Sequence, residues 1–103
     1  MMKSKRSKAC DISQKVKLAV WERDNHRCVF CGSTYAMPNA HIVSRAKSGL
    51  GVEKNIITLC LNCHEKMDHS SDRENSIEKA KAYITKKYGY FDEKEVTYDK
   101  NNS

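Results

Sequence analysis

The chain has 103 residues, which is room for one domain and a core too small to be stable without help. Hydrophobic residues make up 39% and proline occurs once, which argues against a membrane-spanning or low-complexity protein. The formal charge is +6, and residues 1–27 carry eight Lys/Arg against three Asp/Glu, so the surplus sits before the first cysteine pair. Residues 1–10 read as a basic disordered arm. Its Lys3, Lys5, Arg6 and Lys8 either neutralise nucleic-acid phosphates or form a solvated tail.

Residues 11–98 read as one domain, with its centre at about 24–69 and a disordered tail at 99–103. From Asp11 to about Arg23, Ile12, Val16, Ala19 and Val20 fall at helical spacing, with Asp11 or Ser13 as start cap and Asn25 as end. Ile42–Val43 suggests one short strand and Ile56–Leu59 a second, with a glycine-containing loop between them wide enough for an open hairpin. A short helix opens at Cys63 and runs to about Asp68. A longer one covers about 76–88, with Ile77, Ala80, Ile84 and Tyr88 on one face, Asn75 and Glu78 as a box-like start, and Gly89 as the stop. Tyr90–Tyr98 is a charged, aromatic tail that packs back or forms a short strand. Trp21, Phe30 and Tyr35 are assigned to the core. His26 stacks or faces solvent, and His69 is exposed. The fold class is α+β, with helices outside a small metal-centred core.

Cys28-Val29-Phe30-Cys31 and Cys60-Leu61-Asn62-Cys63 are two C-x-x-C turns separated by 28 residues. Such turns aim two thiolates at one tetrahedral Zn²⁺, and two of them close the shell, leaving no position for a substrate. This marks a structural site that adds folding energy to a small core. Disulfides are the competing reading. No segment resembles a secretion signal, so the expected address is cytosolic, where paired cysteines favour metal. Cys10 is left over. Four thiolates and one zinc lower the formal +6 by two, so the loaded domain stays basic.

The spacer adds Ala40-His41-Ile42, Gly49-Leu50-Gly51 and Glu53-Lys54-Asn55-Ile56, and His64 follows the last cysteine. With Arg23-Asp24 ahead of Cys28, these pieces occur in a fixed order from about Asp24 to Asp68. The set resembles the HNH nuclease family with its ββα-metal (His-Me finger) fold, and is most similar to small phage-type members with a four-cysteine zinc. The resemblance implies a DNA-cutting enzyme that leaves 3′-hydroxyl and 5′-phosphate ends. It implies His41 as general base, Asn55 as the residue that holds the loop and orients that base, and His64 as ligand of a catalytic divalent ion. DNA would be the partner, with phage packaging proteins a further one.

Helix geometry adds Asp68, four residues after His64 on the same face, as either a second ligand or a surface carboxylate. Many family members place a ligand just before the base, where this chain has Ala40. A sparse shell of this kind suits Mg²⁺ or Mn²⁺. Arg45 and Lys47 are phosphate-holding candidates on the loop. The alternative function is a zinc module that binds DNA or protein without cutting.

Overall fold

The computed structural model describes residues 4–69 and 71–99. In chain order it contains α1 (Lys5–Cys10), α2 (Gln14–Arg23), β1 (Ala36–His41), β2 (Ile56–Cys60), α3 (Leu61–Asp68) and α4 (Arg73–Tyr88), with 3₁₀ turns at Arg45–Lys47 and Glu53–Asn55. This is the expected mixed architecture, two antiparallel strands followed by a helix, with further helices on either side. No helix among the described residues is long and apolar enough to cross a membrane.

The N-terminus corrects the sequence reading. Residues 5–10, expected to be disordered, form α1, capped where Ser4 Oγ accepts the Ser7 N–H at 3.1 Å. A helix of six residues is unstable alone, so tertiary bonds described below hold it. Lys3 and residues 100–103 lie outside the described residues. α2 begins after Ser13, whose hydroxyl caps Val16 N–H at 3.1 Å. It ends in a turn with Asn25 and His26 both at positive φ. α4 starts three residues earlier than its periodicity suggests, and stops where Gly89 takes φ 89° and donates to Thr85 O at 2.7 Å.

The first strand is also displaced from the expected one. Ile42 and Val43 lie just past β1 and are buried, with Ile42 N–H donating to Asn55 O at 2.8 Å, while Ala36–His41 forms the strand. Its register runs Met37 opposite Leu59 and Ala40 opposite Ile57, three steps against two. The extra residue falls at Pro38–Asn39, where proline has no N–H for the ladder. All five residues of β2 are buried. Ile57 and Leu59 cluster with Ala40, Ile42, Met67 of α3, and Ala80 and Ile84 of α4, while α2 packs against both strands.

Among the described residues β2 has a strand on only one side, yet its other edge is covered. Arg23 and Asp24, at the end of α2, supply what a third strand would. Asp24, 5% exposed, accepts the Thr58 N–H at 2.9 Å and the Tyr83 hydroxyl at 2.6 Å. Arg23 forks onto the same carboxylate at 2.7 and 3.1 Å, and donates to Ile56 O and Glu53 O at 2.7 Å each. The Thr58 carbonyl takes Val29 N–H at 3.0 Å, tying the first cysteine turn to the same edge.

The loop between the strands folds over Asn55, which is fully buried. Asn55 Oδ1 accepts Val43 N–H at 2.8 Å, and Nδ2 donates to Val43 O at 3.1 Å and Leu50 O at 2.9 Å. Gly49 lies so close that a Cβ there would stand 1.7 Å from Val43 O. The C-terminal tail packs back onto this loop: Leu50 N donates to Val96 O and Tyr98 N to Ser48 O, each at 2.8 Å, with a bridge between Gly49 and Thr97.

Asp24→Ala leaves Arg23 buried without its counter-ion and Thr58 N–H without an acceptor, and should cost about 3–5 kcal/mol. Tyr83→Phe removes a single donor to the same carboxylate and should cost about 0.5–1.5 kcal/mol. Denaturant titration of the zinc-loaded protein checks the order. Equal, small losses would show that the pair is peripheral.

Candidate functional site

The four cysteines meet between the turn after α2 and the start of α3. Their sulfurs all lie within 4.8 Å of one another, and Cys31 Sγ is 3.5 Å from Cys60 Sγ. Tetrahedral Zn–S bonds of about 2.3 Å put sulfurs about 3.8 Å apart, so the donor set fits Zn²⁺ in number, chemistry and spacing. The first turn is shaped by Gly32 N–H to Cys28 O and Cys28 N–H to Ser33 O, both 2.9 Å, with Gly32 at φ 79°. Burial opposes ionisation of Cys28, but backbone N–H groups around its sulfur outweigh it and bring the thiol down to about 7. Burial and the neighbouring sulfurs push Cys63 up instead. Four thiolates crowded together repel until a divalent cation sits among them. Cys10 is buried, and its sulfur is outside the cluster.

His41 ends β1, opposite Ile56. Its Nε2 is 2.9 Å from the carbonyl oxygen of Cys10. A carbonyl only accepts, so Nε2 carries the proton and Nδ1 holds the free lone pair. Burial lowers the His41 pKa below 6.5, reinforced by the charges of Arg45 and His64, against the opposing pull of the Cys10 carbonyl and Asp11. The ring is therefore neutral at pH 7. Arg45 donates to the same Cys10 carbonyl at 2.9 Å and pairs with Asp11 at 2.8 Å.

His64 lies in the first turn of α3, directly after Cys63. Its Nδ1 is 3.9 Å from Asp68 Oδ2, and both side chains reach solvent, at 34% and 69% exposure. Helical geometry thus sends the Cys63 thiol to the zinc cluster and the His64 ring to the surface beside Asp68. His64 opens on a hollow lined by Trp21, Tyr35, Met37 and Leu61, and His41 on one lined by Asp11, Ile12, Lys17 and Arg45. Asn39 lines both, so the two hollows adjoin. Ala40, directly before His41, is fully buried in the apolar cluster.

Other expectations sort clearly. Tyr35, assigned to the core, is 88% exposed at the rim of the His64 hollow. Trp21 and Phe30 are half-buried, His69 is exposed, and His26 stacks on Trp21 with ring centroids 4.9 Å apart. Among the cations, Lys5, Arg6, Lys8, Arg45 and Lys47 are all exposed, and Arg6 and Arg45 also donate to backbone carbonyls of the fold. Asn39 and the Cys10 carbonyl escape sequence reasoning. Asn39 has a signal in its position two residues before His41, but a backbone carbonyl has no residue signature.

Residues 28–70 match the family model for the HNH endonucleases, and this segment contains all four zinc thiolates together with His41, Asn55 and His64. No curated protein matches the chain.

Metal analysis of the purified protein should find one tightly held zinc per chain, and chelation should unfold the centre cooperatively. A metal-free chain that still melted cooperatively at the same temperature would refute the structural role.

Proposed function

We propose that this HNH domain makes the chain a metal-dependent endonuclease that hydrolyses DNA phosphodiester bonds. The observation that carries this reading is His41: a ring whose Nε2 meets a backbone carbonyl, which leaves Nδ1 as its basic nitrogen, in a hollow that shares Asn39 with that of His64. Such a ring can take a proton from water. In the proposed step, the water oxygen attacks phosphorus as its proton passes to His41 Nδ1. The bond from phosphorus to the 3′ oxygen breaks, and that oxygen takes a proton from solvent, giving 5′-phosphate and 3′-hydroxyl ends.

Asn55 holds the loop beside the base. Every polar atom of its amide is engaged by Val43 and Leu50, so its part is to position rather than to touch substrate. His64 and Asp68 present two donors on one accessible helix face, which fits a hard divalent ion such as Mg²⁺ or Mn²⁺ that keeps much of its water. That ion would supply Lewis acidity at the phosphate and stabilise the leaving oxygen. Lys5, Arg6, Lys8, Arg45 and Lys47, all exposed, are the candidates for phosphate binding.

Plasmid cleavage with and without Mg²⁺ or Mn²⁺ tests the reading. His41→Ala should bind DNA and melt like wild type but cut about 10²–10⁴-fold more slowly. His64→Ala should lose most cleavage and regain part of it at high Mn²⁺, which His41→Ala should not. Wild-type cutting by His41→Ala would remove the base from this assignment. A chain that binds DNA and never cuts would instead be a non-catalytic zinc module.

The pH profile follows from the lowered pKa. The competent base is the neutral ring, so activity is present above pH 6.5 and is lost as pH falls through the His41 pKa, which lies below 6.5. An acid limb centred above 6.5 would point to another group. Replacing both Lys5 and Lys8 with alanine should weaken DNA binding and reduce the salt slope by up to about 0.9 for each phosphate no longer neutralised. An unchanged slope would take α1 out of the DNA interface.

A further inference from the structure

The segment that matches the family begins at residue 28, yet the group that engages His41 comes from residue 10. The Cys10 carbonyl terminates α1 and receives two donors, His41 Nε2 and Arg45 Nη1, both at 2.9 Å. Two donors fill both lone pairs of a carbonyl oxygen, so its direction fixes the ring and the ring fixes which nitrogen is basic.

Two features hold that carbonyl in place. Arg6 reaches from α1 to the loop between the strands, donating from Nε to Ser48 Oγ at 2.7 Å and from Nη2 to Arg45 O at 2.8 Å and Ala46 O at 3.4 Å. Gly51 donates to Ala9 O at 3.0 Å, and a Cβ on it would stand 2.0 Å from Asp11 O and 3.0 Å from Cys10 O. The corner between α1 and α2 rests directly on backbone that only a glycine leaves open. A six-residue helix rich in Lys and Arg has little stability of its own to contribute. What its docking does fix is the carbonyl beside the base.

We infer that α1 belongs to the active site, with Arg6 and Gly51 as positioning residues that act through the Cys10 carbonyl to hold His41 as the Nε2–H tautomer. This rests on the reading of His41 as general base, and it says that the matched segment is catalytically incomplete without the chain before it.

The test is nitrogen-15 NMR of the histidine rings in the full-length, zinc-loaded protein, without DNA, alongside cleavage kinetics. Wild-type His41 should be in the Nε2–H form. Gly51→Ala lifts the corner by steric conflict, and Arg6→Lys keeps the charge but loses the fork that binds three acceptors. Both should show a mixture with the Nδ1–H form while the cysteine and Asn55 signals stay in place. In both, kcat should fall about tenfold to a hundredfold with KM nearly unchanged. A wild-type ring protonated on Nδ1, or a tautomer unchanged in Arg6→Lys and in any folded Gly51→Ala, would overturn the inference. If Gly51→Ala fails to fold, Arg6→Lys decides alone. The outcome is separable from the nuclease reading, which falls if His41→Ala cuts like wild type, whatever the ring spectra show.

Discussion

A buried strand with one neighbour is the constraint from which the rest of this structure follows. Among the described residues β2 has no partner strand on its outer edge, yet all its residues are out of solvent, and unpaired backbone groups there would each cost about 1–3 kcal/mol. Asp24 takes the Thr58 N–H, Arg23 takes the Ile56 carbonyl, and Val29 of the first cysteine turn donates to the Thr58 carbonyl. Side chains and a loop thereby complete the sheet. The arrangement also prevents another chain from adding a strand at this edge. Burying a carboxylate and a guanidinium is costly in general, and here it is offset because nearly every polar atom of the pair has a fixed partner.

That strand has functional groups at both ends. Asn55 precedes Ile56 and Cys60 closes β2, so one rigid rod sets the loop beside His41 and the sulfur cluster at the opposite end. The apolar clusters of the chain are small, and polar ties do much of the joining. The Tyr83 hydroxyl links α4 to Asp24, and Arg23 lies over the rings of Tyr83 and Tyr88 at 5.6 and 5.8 Å. Burial and the Asp24 hydrogen bond raise the Tyr83 pKa, so the phenol remains a donor across the physiological range. A domain with few apolar layers is held in one arrangement by such directional bonds.

The legible parts of the sequence are those whose chemistry is local. The cysteine spacing announces a four-sulfur cluster, Gly89 announces the end of α4, and His41 at the end of β1 and Asn55 just before β2 stand out as polar residues beside apolar ones. What sequence cannot show depends on partners distant in the chain. Ala36–His41 includes Pro38 and Asn39, poor strand formers, and becomes a strand because β2 lies beside it. α1 has no apolar periodicity and looks like a tail; Arg6 finds its acceptors about 40 positions away. The ring of Tyr35 suggests a core residue, yet it lies outward, because the turn before β1 points it along the rim of the His64 hollow. The same distance effect explains Arg6 and Arg45. Both are exposed and also bind carbonyls distant in the chain, contacts that charge counting does not reveal.

The two halves of the site are joined mechanically at the start of α3. Cys60 caps that helix, its sulfur accepting the Cys63 N–H at 3.5 Å, and Cys63 returns to the same sulfur cluster. Eight residues are too few for a stable isolated helix. A thiolate at the N-terminus stabilises it through the helix dipole and fixes the direction of its first turn. His64 is the next residue in that turn, and Asp68 follows one turn later, so the cluster that orders α3 also determines where both side chains face. The zinc site is closed to substrate, yet through one peptide bond it sets the bearing of the histidine that opens on the surface hollow. At the other end of β2 a carbonyl from α1 does the same for His41. Neither histidine is oriented by the segment that carries it alone, and this places the determinants of the candidate site in the tertiary structure rather than in the motif.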